Sequence, residues 1–436
     1  MVFLSQITMK NLFKLIFIFV IQITFSQKSL TDYVITNVSI IPMNSEIILK
    51  NKDVLIRNGK ISAISDYKKV SYKPITIING TGKFIVPSLS DAHVHLPENE
   101  VELEKCLKLN LINGVTKIRS MRGDDEQIEW RKKYSEPRSM YPKMYLSSVA
   151  INKKDDFTPE SMAKFVNETK TKGYNFIKML SIKDKSIFEA LDKSCKEYNF
   201  KIAGHFPDNV DDETIFKSNL NSIEHLGGFM YAEEVQQKSR KENILKNNIF
   251  NCPTFDWYAV MEDQFSLEEL KKRKGLQFVE KSKLTEWENN YKTEHSKIPE
   301  NQKETYKKQL SEDISTRYST LKKLSDTGIN LLIGPDSSAD YSVYGFGVLE
   351  EMNHFKKAGI SNYKILKAAT SNFADYFDDK TYGTIEVGKT ADFLILDQNP
   401  LENLSALEKI EGIFYNSNYL DAKKLQIISS QIMPIH

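Results

Sequence analysis

His93 and His95 open the chemical reading of this chain, because they stand two residues apart at the end of an apolar, strand-like run. In a strand, residues i and i+2 face the same way. Neutral imidazole is a common metal ligand near physiological pH, so the pair reads either as two ligands or as two surface histidines in a loop. His205 follows Lys201-Ile202-Ala203-Gly204, and His225 follows Ser222-Ile223-Glu224. Either alone could be a hydrogen-bonded core histidine. Four of the seven histidines at strand ends is a concentration that scattered core residues do not readily give. Lys178 lies within Phe176-Ile177-Lys178-Met179-Leu180. A lysine buried there is costly without a partner, and burial frees its amine by lowering the pKa. The free amine can take up carbon dioxide as a carbamate, whose two oxygens can bridge two metal ions. The other reading is a stem that snorkels to solvent. Asp336 ends Leu331-Leu332-Ile333-Gly334-Pro335. A carboxylate there can bind a metal and accept a proton from water, or it can cap a helix or turn.

These residues need elements to position them. Eight strand-like runs, Phe84–His93, Val115–Ser120, Lys143–Ile151, Tyr174–Leu180, Phe200–Phe206, Ser222–Leu226, Ile249–Thr254 and Ile329–Asp336, alternate with charged, helix-like stretches. That alternation predicts an α/β fold, a closed (β/α)8 TIM barrel, with an open doubly wound sheet as the second choice. In a barrel the strand ends form the catalytic face. Residues 31–86 read as short strands with turns at Asn58-Gly59 and Asn79-Gly80, a unit too small to bury a core alone. Strand character returns over Gly383–Asp397. The expected organisation is a small β-sandwich domain built from both chain ends, residues 27–85 and 380–436, beside a barrel over residues 86–379. Residues 257–325, rich in Lys and Glu, are expected to be a helical insertion. They leave the seventh strand at the catalytic face. Phe255, Trp257 and Tyr258 could therefore wall a pocket. The helices beyond could form a lid, a subunit contact or only a solvated face.

Composition narrows the classes. The chain has 436 residues, 40% hydrophobic and 27% charged, which excludes a disordered chain, a fibre and a polytopic membrane protein. The net charge of +2 points to no nucleic-acid partner. Cys106, Cys195 and Cys252 are too few and too dispersed for a disulfide framework or a zinc ribbon. At the N-terminus, Lys10 and Lys14 form a positive region, Leu15–Phe25 is an apolar run broken only by Gln22 and Thr24, and Ser26 is a small residue suited to cleavage. The run is shorter than the about 20 residues a transmembrane helix needs. Residues 1–26 are therefore read as a secretory signal peptide, with Met9 as the favoured start. The expectation is an exported protein, periplasmic or secreted, with no stable membrane anchor after cleavage. A homo-oligomer is compatible with the sequence.

Taken in order, the motifs resemble the amidohydrolase superfamily, in its imidazolonepropionase-like and prolidase-like branch. The resemblance rests on Pro87-Ser88-Leu89-Ser90-Asp91-Ala92-His93-Val94-His95, Gly114–Arg119, Ile177-Lys178, Gly204-His205, Ile223-Glu224-His225 and Pro253-Thr254. Ala369-Thr370-Ser371-Asn372-Phe373-Ala374 and Gly388-Lys389-Thr390-Ala391-Asp392 complete it. Ser88, Ser120 and Pro335 depart from the family pattern, and none of them is a ligand position. The resemblance implies two divalent metal ions, expected to be Zn2+. His93, His95 and Asp336 would hold one, His205 and His225 the other, and carboxylated Lys178 would bridge them. It implies that a hydroxide between the metals attacks a substrate carbonyl and that Asp336 passes its proton to the leaving nitrogen. Arg119, Trp257 and Tyr258 are the expected substrate contacts. The implied activity is hydrolysis of a C–N bond in an amide, cyclic amide or dipeptide of a small-molecule substrate. The alternatives are a lactone, ester or phosphotriester hydrolase using the same centre, and a non-catalytic exported binding protein.

Overall fold

The computed structural model describes residues 32–68, 75–337 and 339–434, and the signal-peptide reading over residues 1–26 lies outside them. Five strands come first: β1 (Tyr33–Ile40), β2 (Leu49–Arg57), β3 (Lys60–Asp66), β4 (Thr76–Asn79) and β5 (Phe84–Pro87). β2 and β3 join through Asn58 and Gly59, both at positive φ (51° and 71°), as a tight hairpin turn requires. The run expected as one strand over Phe84–His93 divides at Ser88, and β6 (Leu89–Val94) belongs to a different sheet. Then follow β7 (Val115–Ser120), β8 (Lys143–Leu146), β9 (Phe176–Met179), β10 (Lys201–Gly204), β11 (Leu220–Glu224) and β12 (Phe250–Cys252). Helices stand between these strands, among them Glu100–Ile112, Pro159–Lys172 and Lys185–Glu197. β13 (Phe393–Leu396), β14 (Ile410–Tyr415) and β15 (Asn418–Asp421) close the strand list.

The parallel strands form two arcs, β6-β7-β8 and β9-β10-β11-β12. Single parallel bridges link the arcs, Ser147 to Phe176 and Ile151 to Met179. The expected eighth strand, Ile329–Asp336, is not a regular strand. It bridges Asn251 through Leu331, is followed by the bridge Val94–Ser337, and exchanges backbone hydrogen bonds with Ala92, His93 and Asn251. The physical reason lies in the sequence: Pro335 has no N–H to give a ladder, and Asp336 turns the chain at φ 60°. Among the described residues there is thus no single closed ladder. The arrangement is an α/β fold consistent with a TIM barrel.

Both chain ends contribute strands to one sheet. β5 pairs with β1 on one side and with β13 on the other, so the two chain ends add to opposite edges of one strand. The product is one eight-stranded sheet, with its own buried cluster that includes Ile35, Val54, Ile85, Phe393 and Phe414. Residues 257–325 hold the expected helices, Lys281–Ser296 and Lys303–Thr327 being the longest. Among the described residues no helix is long and apolar enough to cross a membrane.

Candidate metal centre

Each histidine is fixed first by its backbone. The His205 N–H donates to the Met179 carbonyl at 2.9 Å, and the His225 N–H to the Cys252 carbonyl at 2.9 Å. The His95 N–H reaches Ser337, and the Asp336 N–H reaches the His93 carbonyl at 3.0 Å. Every strand end is thus clamped to its neighbour. Gly204 makes one clamp sterically feasible: a Cβ there would lie 1.9 Å from the Met179 carbonyl oxygen. Three site residues, His225, Thr254 and Asp336, adopt left-handed backbone (φ 63°, 51° and 60°). Non-glycine residues held this way cost about 1–3 kcal/mol each and concentrate at functional sites.

The side chains meet in one pocket of about 490 Å³, lined by His93, His95, Lys178, His205, His225 and Asp336. The His95 Nε2 lies 2.9 Å from Asp336 Oδ1, the His93 Nε2 3.6 Å from the same oxygen, and the His225 Nδ1 4.0 Å from Oδ2. His205 and His225 have ring centroids 4.7 Å apart. His93, His225 and Asp336 can each offer an atom to one cation. Burial holds His93 and His225 well below the usual imidazole range and brings His205 down to about 4. All three are therefore neutral, with a lone pair to give. Burial also lowers Lys178, whose Nζ has no hydrogen-bond partner.

The pocket lining also includes Trp257, Tyr258, Met261, Leu180, Arg122 and Asp340. Trp257 and Tyr258 stand on the helix Phe255–Met261, whose first N–H groups donate to buried Glu351 at 3.0 and 2.7 Å. The long insertion helix reaches this lining through Arg317, whose guanidinium sits 3.6 Å from the Tyr258 ring centroid.

Two expectations fail here. Arg119 does not line the pocket; it is fully buried and its guanidinium is bonded to Glu224, so it is not placed to touch substrate. Phe255 faces inward, packed against both Tyr318 and His354, which are also in contact with each other. One residue was missed. Glu224, fully buried, has Oε2 2.8 Å from His93 Nδ1. The signal was present, because a carboxylate inside an apolar strand needs a partner just as Lys178 does.

The α/β scaffold gathers histidines, a buried lysine and an aspartate at its strand ends, among them a group that could hold a metal ion. The chain belongs to the amidohydrolase family, whose sequence profile matches residues 84–420. A dihydroorotase of Listeria welshimeri is 44% identical over 93 residues, 20% of this chain and 21% of that enzyme, so the chain spans only about a fifth of this relative. The fold is similar to a bottromycin amidohydrolase (TM-score 0.72, 18% identity, 92% of this chain and 90% of that one). It is also similar to a putative prolidase from Bifidobacterium longum (TM-score 0.68, 20% identity, 93% and 99% covered).

Proposed function

We propose that the protein is a metal-dependent hydrolase of a C–N bond in an amide, cyclic amide or dipeptide. The observation that carries this reading is one pocket in which neutral histidines, an unpartnered buried amine and a carboxylate converge. The residues fit a cation. The buried His93 Nε2 has no hydrogen-bond partner and faces the Asp336 carboxylate, and the donors are the nitrogen and oxygen atoms that Zn2+ prefers. In this reading His93, His95 and Asp336 would hold one ion and His205 and His225 a second, and Lys178 would serve both as a carbamate. Its amine adds to carbon dioxide, forming an N–C bond and releasing one proton. When bound, the ions supply Lewis acidity and activate water at neutral pH. Asp336 is the group able to take a proton and return it to the leaving nitrogen. Trp257, Tyr258, Met261 and Leu180 offer an apolar wall to the substrate, with Arg122 as a cationic contact.

The same reading keeps the chain as an exported protein, periplasmic or secreted, with a leader over residues 1–26. It treats the barrel over 86–379 and the strands from both chain ends as two domains. The similarity to prolidase and bottromycin amidohydrolase folds supports peptide-like C–N substrates. The test is metal analysis of purified protein followed by a panel of N-acyl amino acids, Xaa-Pro dipeptides, hydantoin-like rings and lactones. Near-stoichiometric zinc with turnover of amides is the expected result. Turnover confined to lactones overturns the choice of bond, and a metal-free protein after reconstitution overturns the mechanism.

A further inference from the structure

Glu224 lies beneath the pocket, outside the ligand set, yet three side chains converge on its carboxylate. Arg119 donates to both oxygens at 2.9 Å, and Ser222 Oγ donates to Oε1. His93 Nδ1 stands 2.8 Å from Oε2. We propose that Arg119 and Glu224 are a positioning pair that locks His93 in the tautomer with Nδ1 protonated and Nε2 bare. The inference rests on the reading of His93 as a metal ligand.

Arg119 Nη2 donates to both oxygens of the Glu224 carboxylate and Ser222 Oγ donates to one of them, so the group is used as an acceptor on both sides. Nδ1 must therefore be the donor. A neutral imidazole has one N–H, so the lone pair falls on Nε2. That atom is the one turned toward Asp336, 3.6 Å away, where two acceptors face each other with no proton to share. The pair also sets where the ring sits. Arg119 Nε donates to the carbonyl of Ala92, the residue before His93, and its guanidinium lies 4.8 Å from the Tyr376 ring centroid. One arginine thus fixes the backbone beside His93 and, through Glu224, the ring itself.

His225 lacks such a lock. His225 Nδ1 meets the Thr254 hydroxyl at 2.6 Å, a group that can donate or accept and so imposes no tautomer. The local backbone explains how adjacent residues serve both roles. Ser222 and Glu224 share the inner face of β11 by ordinary alternation, and the left-handed turn at His225 brings the next side chain into the pocket as well.

Nitrogen NMR of 15N-histidine-labelled, metal-free protein tests the lock without any substitution. His93 is expected as the Nδ1–H tautomer, and an Nε2–H tautomer overturns the proposal. Zn2+ affinity, read by chelator competition, is expected to fall about 10–100-fold for one ion in Glu224→Gln, with the second ion less affected and the Co2+ visible spectrum altered. Glu224→Gln leaves Arg119 buried and unpaired, so a folding defect has to be separated from a positioning effect. The Arg119→Met/Glu224→Gln double variant removes that charge; its metal-free melting point should recover while metal affinity stays low. A double variant that folds and binds Zn2+ like the wild type overturns the proposal. Failure of the wild type to bind any metal instead overturns the reading on which the pair rests, whatever the tautomer.

Discussion

Two lysines, Lys117 on β7 and Lys178 on β9, are almost equally buried, at 3% and 1% exposure, and their surroundings differ in kind. Lys117 pairs with Asp392 and donates to Thr116 Oγ1 at 3.0 Å, and its Nζ lies 4.3 Å from the Tyr382 ring centroid. Thr116 in turn donates to Asp392 at 3.0 Å. This lysine ties the parallel strands to the segment entering β13, and its hydrogen-bonding capacity is used within the protein. Lys178 faces a pocket with no hydrogen-bond partner for its amine. Burial alone therefore does not mark a functional lysine. Burial beside a cavity, without a partner, does.

The comparison breaks most readily at Lys178. Lys178→Ala should lower kcat/KM by about 10³-fold or more, roughly 4 kcal/mol, and leave one metal site nearly empty, while the melting point of metal-free protein holds or rises. Added bicarbonate should speed reconstitution of the wild type only. Full activity with two metals in the variant ends the carbamate reading.

Lys117→Met should behave in the opposite way. It strands Asp392 as an uncompensated buried charge, a loss of about 3–5 kcal/mol in folding stability, readable by denaturant titration. Metal content and the chemical step of the folded fraction should not change, and adding Asp392→Leu should restore much of the stability. Loss of metal at equal folded fraction would erase the contrast between the two lysines.

Trp257→Ala sharpens the pocket side further. An apolar wall that touches substrate predicts about a tenfold change in kcat/KM, roughly 1.4 kcal/mol, with metal content constant. Unchanged kinetics on several substrates would leave the insertion without a part in substrate binding.

The smallest effect is on pH dependence. His205 titrates near 4 in the folded protein against a reference of 6.5. The unfolded chain therefore binds more protons between these values, and metal-free protein should lose stability as pH falls from 6.5 toward 4. His93 and His225 are shifted in the same direction by burial. His205→Gln should flatten the slope in that window, and Lys117→Met should not. An unaltered slope in His205→Gln would show that the buried imidazole is not its source.

Much of the site was legible because strand ends are short-range facts. Alternation and apolar runs place His93, His95, Lys178, His205 and His225, and the structure brings them to one pocket with Asp336. What was hidden depends on backbone turns and on partners far away in the chain. Glu224 was passed over because strict alternation sets it opposite His225, and only the φ of 63° at His225 undoes that rule. Arg119 was misread because its acceptor lies 105 positions onward, on β11. The eighth strand was overdrawn because an apolar run does not show that Pro335 and the turn at Asp336 interrupt pairing. That both chain ends add to β5 is a long-range pairing that only the fold reveals.

That last arrangement bears on how the chain is made. β5 is in place by residue 87, but its second neighbour, β13, begins at residue 393. Through nearly all of synthesis the Phe84–Pro87 edge has nothing to pair with, and unpaired strand edges are templates for aggregation. The newborn chain must therefore shield this edge until its last tenth emerges, and any product that stops short of β13 carries the edge exposed for good.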